Sequence, residues 1–75
     1  MNLYIINDVL YDYTDGMCVI AAESMSHCES IFMKEFGSFA FDVEGRQKEF
    51  NEAPIKVIEG VNHPAGVVSY VYGGG

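Results

Sequence analysis

Acidic and tyrosine side chains alternate close to the N-terminus of this sequence. Asp8, Asp12 and Asp15 lie within eight residues and are interleaved with Tyr11 and Tyr13. Such a segment combines rigid, amphipathic contact area with negative charge for arginine and lysine side chains of a partner. We therefore predict that these five residues form a protein-binding site. The same pattern is also typical of a solvated hairpin tip whose tyrosines pack on a sheet edge.

Soft metal ligands and nucleophiles are few. Cys18, Cys28, His27 and His63 show no spacing typical of a zinc site. Cys28 with His63 is the one conceivable pair of nucleophile and base, and no orienting third residue accompanies it. Glycine-rich phosphate loops and calcium-loop spacings are absent from the sequence. We expect two buried, reduced thiols, no metal, no cofactor and no enzymatic activity.

The net charge of the chain limits the kinds of partner that it can bind. Eleven acidic residues against four basic ones give a formal net charge of −7. This balance argues against direct binding of nucleic acid or of anionic membranes, which attract basic surfaces. A basic protein surface is the natural electrostatic partner, although the same charge also serves solubility. The sequence shows no apolar run of membrane-spanning length and no basic leader, so we expect a cytoplasmic protein.

The elements that position these residues begin with a predicted hairpin. Residues 3–10 and 17–22 are apolar and β-branched, and they flank Asp15-Gly16, a strong turn signal. The register of the hairpin is left open, because the turn segment 11–16 could extend either strand. A helix is predicted from Ser24, a suitable N-cap, to Gly37, although Ser26 and Glu29 also have capping-box spacing and would shift its start by up to two residues. Its apolar stripe has helical period and consists of Met25, Cys28, Ile31, Phe32 and Phe36.

The second half of the chain predicts further strands, but it contains fewer clear sequence signals. Residues 38–43 alternate like a short strand, and residues 44–52 indicate an exposed loop with at most one helical turn. Residues 55–59 and 67–72 are predicted strands. We therefore predict an α+β fold of ββαββ order, with an antiparallel sheet of about four strands and one helix packed on one face. We expect residues 1–72 to form one compact domain and residues 73–75 to be a flexible glycine tail.

One helix would leave the other face of the sheet open. Tyr4, Tyr70 and Tyr72 are placed there as an aromatic patch, although a one-residue slip would turn them into the core. An open face or edge strand also supports an alternative function. In that alternative the chain is a small homo-oligomeric structural or assembly protein of phage or bacterial origin, for instance a homodimer.

A family resemblance lies in the segment Val19-Ile20-Ala21-Ala22-Glu23-Ser24-Met25-Ser26. This strand, ending in an Ala-x-Ser step before a short helix and two further strands, resembles the layout of small phage-encoded anti-CRISPR proteins over about residues 1–36. The resemblance implies an acidic, protein-binding inhibitor of a host defence protein, a Cas protein or complex, acting on its basic, nucleic-acid-binding surface in the host cytoplasm. It assigns no functional residue.

Overall fold

The computed structural model describes residues 1–12, 14–37 and 42–73, and for Asp12 the backbone alone. Its four strands are β1 (Asn2–Asp12), β2 (Thr14–Ala22), β3 (Ile55–Ile58) and β4 (Gly66–Val71). They form one antiparallel sheet in the order β3-β1-β2-β4. The predicted α+β class and four-stranded antiparallel sheet are confirmed.

The helical content exceeds the prediction of a single helix. Helix α1 (Met25–Phe32) continues into a π-helical turn (Met33–Gly37), and a second helix, α2 (Val43–Glu52), precedes β3. The prediction of a loop over residues 44–52 was therefore wrong. Val43, assigned to a short strand, is the first residue of α2. Asp42, also assigned to that strand, is the N-cap of α2, and residues 38–41 lie outside the described residues.

Helix α1 begins where the sequence indicated. The Ser24 side chain accepts a hydrogen bond from the backbone N–H of His27 at 3.2 Å, so one of the unpaired N–H groups of the first turn is satisfied. Cys28, Phe32 and Phe36 of the predicted stripe are buried. Met25 is exposed, so the stripe begins one turn later than predicted.

The predicted Asp15-Gly16 turn is wrong, because both residues lie within β2. β1 ends at Asp12 and β2 begins at Thr14, while Gly16 lies inside β2 opposite Val9. A Cβ atom on Gly16 would collide with the carbonyl oxygen of Val71. This glycine is therefore explained by the close approach of the end of β4 and not by a turn.

The core lies between the sheet and the helices. Phe32 is fully buried at its centre, with ring centroids 5.3 Å from Phe36 and 5.1 Å from Phe50 of α2. Because side chains alternate along a strand, the core residues Tyr4 and Ile6 of β1 and Cys18, Ile20 and Ala22 of β2 share the helix side of the sheet. The sheet contributes Tyr4, Ile6, Val9, Leu10, Cys18, Ile20 and Ala22 to this core.

The predicted aromatic patch is on the covered side of the sheet. Tyr4 is buried in the core, and the rings of Tyr70 and Tyr72 contact the ring of Phe36 edge-on, at 5.4 and 6.3 Å between centroids. The strand register instead places aliphatic side chains on the open face. The apolar residues at these positions are Leu3, Ile5, Met17, Val19, Ala21, Ile58 and Val71.

Gly73, which the sequence assigned to a flexible tail, is a buried residue. Its backbone N–H donates to the carbonyl oxygen of Leu10 at 3.1 Å. A Cβ atom there would collide with the carbonyl group of Thr14. The chain after β4 is therefore packed against the hairpin as far as Gly73, and residues 74–75 lie outside the described ranges.

Candidate functional site

The hairpin presents its acidic side chains through an irregular segment of β1. The ladder between β1 and β2 shifts register between Asn7 and Val9 and again between Val9 and Asp12. Asp8 and Leu10 adopt left-handed backbone conformations there, with φ of 59° and 54°. Aspartate tolerates the left-handed region better than leucine does, because its short polar side chain can form hydrogen bonds with nearby groups. These shifts bury Val9 and Leu10 and leave Asp8 exposed.

Helix α2 forms the opposite wall of the site, and polar contacts hold it in place. Its N-cap, Asp42, accepts a hydrogen bond from the backbone N–H of Gly45 at 2.9 Å. The Gln47 side-chain amide donates to Glu29 of α1 at 2.6 Å. Phe50 is the buried residue of the helix and joins the core. The segment is therefore helical because of its cap and its neighbours, with one large apolar anchor.

A carboxylate joins the two walls. Glu49 of α2 accepts a hydrogen bond from the backbone N–H of Tyr11 at 3.0 Å through Oε2. Its Oε1 forms an ion pair with Arg46 Nη1 at 2.8 Å. The guanidinium of Arg46 also lies 6.0 Å from the centre of the Tyr72 ring, a cation–π distance. Glu49 therefore fixes the spacing between the hairpin and α2.

Between these walls lies an acidic groove of about 430 Å³ that is open to solvent. Four carboxylates and one ammonium group line it, so its charge is strongly negative. Tyr11 is 62% exposed at its edge and offers an aromatic surface beside the carboxylates. The residues that line the acidic groove are Asp8, Tyr11, Asp15, Gly45, Lys48, Glu49 and Glu52.

The structure brings three of the five predicted binding residues to this groove. Asp8, Tyr11 and Asp15 line it. Asp12 is the last residue of β1, while its side chain and the whole of Tyr13 lie outside the described parts of the chain. The contribution of α2 was missed. The Asp42-x-x-Gly45 cap and the Arg46–Glu49 pair at i, i+3 were the sequence signals that could have revealed this helix.

The two thiols are buried and show no sign of activation. Burial raises the pKa of both Cys18 and Cys28 to about 12, and the negative charges of Cys28 and Glu29, respectively, add to this effect. His63 is exposed between β3 and β4, and its ring nitrogen lies 2.6 Å from the carbonyl oxygen of Pro64. The core position of Cys28 and the exposed position of His63 give no support to a nucleophile–base pair.

The other histidine, His27, makes a contact that stabilises the start of α1. Nδ1 of His27 accepts a hydrogen bond from the backbone N–H of Glu23 at 3.1 Å, at the start of α1.

Among the described residues, histidine, cysteine, aspartate and glutamate side chains form no group of three or more that could hold a metal ion. Over the same residues, no helix combines the length and apolar character needed to cross a membrane.

Comparison with known proteins found no match for this chain among protein-family models, curated proteins or solved structures. The chemistry of the acidic groove is therefore the basis for a functional proposal.

Proposed function

We propose that this chain is a non-enzymatic binding protein that docks its acidic groove on a basic surface of a partner protein. The groove supports this proposal because four carboxylates and one lysine line it together with the exposed Tyr11. Tyrosine and complementary charge are the features that favour a specific protein interface. The net charge of −7 favours the same class of partner over long distances.

The proposed partner is a host defence protein of the CRISPR–Cas type, bound through its nucleic-acid-binding surface, and the chain is its phage-encoded inhibitor. Small size, acidity and the layout of the first 36 residues support this assignment. The basic channel that holds nucleic acid in such effectors is a surface of matching charge. Binding there excludes the nucleic acid, so inhibition requires no chemistry by this chain.

Imitation of DNA is confined to the groove. The longest extent of the molecule is 34 Å, and a DNA duplex of that length carries about 20 negative charges at one per ~1.7 Å. The whole chain has eleven acidic residues, and they are spread from Asp8 to Glu59 along the sequence. The surface as a whole therefore cannot match the charge density of DNA, and a local match requires the clustering that the groove provides.

A direct test measures binding to purified Cas effectors, with and without their guide RNA, by biolayer interferometry. The groove variant removes three of its charges while retaining Glu49, which holds the two walls together, and Asn suits the left-handed backbone at position 8. The matched control removes the same number of exposed charges elsewhere. The groove variant is Asp8→Asn/Asp15→Asn/Glu52→Gln, and the control is Glu23→Gln/Glu35→Gln/Glu59→Gln.

We expect the wild-type chain to bind an effector and to compete with its nucleic acid. Three rim charges at about 0.5–1 kcal/mol each correspond to a loss of about 10- to 100-fold in affinity for the groove variant. The control should stay within about threefold of wild type, a difference below 1 kcal/mol. Equal losses in both variants would refute the groove as the docking site. Failure to bind any effector would refute the proposed partner.

A further inference from the structure

The two edges of the sheet differ in their protection against pairing with another strand. β3 is four residues long, carries Lys56 at its centre and follows Pro54, all devices that discourage strand addition. β4 is six residues long and has neither a charged residue nor a proline. Its one protective feature is a bulge, where the register with β2 shifts between Val67 and Ser69.

The part of β4 beyond this bulge is regular and apolar. Ser69, Tyr70 and Val71 pair in unbroken register with β2 on one side. Within the described residues, no other strand pairs with their outer side. Tyr70 is 53% exposed and Val71 is 58% exposed, the latter among the most exposed large apolar side chains of the chain. An apolar, uncharged edge of this kind is a template for strand addition.

We propose that the β4 edge pairs with β4 of a second copy of this chain, forming a two-fold dimer with a continuous eight-stranded sheet. Charge bears on where two copies can meet. Two chains of −7 repel each other, so a surface without acidic residues is where they approach at the lowest electrostatic cost. The segment from Gly66 to Gly73 contains none, and neither do the paired positions of the open face beside it.

The side-chain pattern of β4 is also complementary to itself. If two β4 strands run antiparallel about a two-fold axis at Tyr70, Ser69 lies opposite the second copy's Val71 and Tyr70 opposite its counterpart. Ser69 and Val71 both occupy the open face, whereas Tyr70 occupies the helix side, so every pair matches in face. The two-fold axis keeps the helices of both copies on one side of the joined sheet.

Dimerisation and groove docking are separate properties. None of the residues that line the acidic groove belongs to β4. Salt acts on the two in opposite directions, because screening weakens attraction to a basic partner but reduces repulsion between two acidic chains. The dimer should therefore become tighter as ionic strength rises.

The test is sedimentation velocity over a wide concentration range with two matched lysine substitutions. Val71→Lys and Ile58→Lys both place a lysine on the open face, the first at the β4 edge and the second at the β3 edge. Since each substitution occurs twice in a two-fold dimer, Val71→Lys should weaken dimerisation at least about tenfold. Ile58→Lys should stay within about twofold. Far-UV circular dichroism verifies folding, and Ser69→Lys replaces Val71→Lys if the latter unfolds.

A wild-type chain that remains monomeric at millimolar concentration would overturn the proposal. Equal weakening by both lysine substitutions would overturn it as well, because that result indicates face-to-face packing of the open faces. Dimers that loosen with added salt would contradict the role assigned to charge. These three measurements of dimerisation do not depend on whether the groove variant loses partner affinity. The dimer and the docking of the groove can therefore be refuted independently.

Discussion

Glu49→Ala is predicted to separate the hairpin from α2. The substitution removes the hydrogen bond from the Tyr11 N–H at 3.0 Å and the ion pair with Arg46 at 2.8 Å. A typical hydrogen bond contributes about 1–1.5 kcal/mol net, and a partly exposed ion pair contributes about 0.5 kcal/mol. The free energy of unfolding should therefore fall by about 1.5–2 kcal/mol, which corresponds to about 10 °C in a domain of this size.

The assay combines thermal unfolding with amide hydrogen exchange at Tyr11. Glu49→Gln retains an acceptor for the Tyr11 N–H and loses the ion pair, so it should lower the melting temperature by less than half as much. Glu52→Ala is the matched control, since it removes a groove carboxylate at the end of the same helix. If Glu49→Ala melts within about 2 °C of Glu52→Ala and the Tyr11 amide exchanges as in wild type, the reasoning is refuted.

Three further predictions concern the core, the thiols and the cap of α2. Phe32→Ala should cost about 3–5 kcal/mol, most of the stability of a small domain, and a chain that still melts cooperatively near the wild-type temperature would contradict this. Cys18 and Cys28 should react with a thiol reagent at pH 8 only as fast as the chain unfolds, and rapid native labelling would refute their burial. Their pKa values, raised to about 12 from 9.0, also predict that stability is full below pH 9 and falls as pH rises toward 12, because the unfolded chain releases these protons first. Asp42→Ala should lower the free energy of unfolding by about 1 kcal/mol and Asp42→Asn by a few tenths, as measured in urea; equal effects would exclude the cap.

The strands and α1 could be predicted because their signals are local. The apolar runs of β1 and β2 are long and β-branched, and α1 has both a cap at Ser24 and a stripe of helical period. The turn was misplaced because Asp15-Gly16 has the composition of a hairpin turn. Gly16 is required instead by the passage of Val71, a contact between residues far apart in the sequence.

The second wall of the groove could not be predicted for a related reason. α2 is polar along most of its length and carries one buried residue, Phe50, so it lacks the apolar stripe from which a helix is recognised. Its position depends on Gln47 meeting Glu29 and on Glu49 meeting Tyr11, which are separated by 18 and 38 residues. The hairpin side of the groove was predictable because its residues are near neighbours.

The tyrosines show what the period-two alternation of side chains along a strand does not predict. A period of two predicts which residues of a strand share a face, and Tyr4 and Tyr70 do share one with the core residues Ile20 and Cys18. Alternation does not predict which face the helices cover. That choice depends on helix packing, so the aromatic side was assigned to solvent although it faces the helices.

The salt dependence of partner binding tests the central claim most directly. The dissociation constant for a Cas effector would be measured from low to high ionic strength for the wild-type chain, the groove variant and the control variant. We predict that the affinity of wild type and control falls steeply with salt, and that the groove variant shows a clearly shallower slope because its charges are missing. An affinity independent of salt, or equal slopes for all three proteins, would contradict docking through the acidic groove.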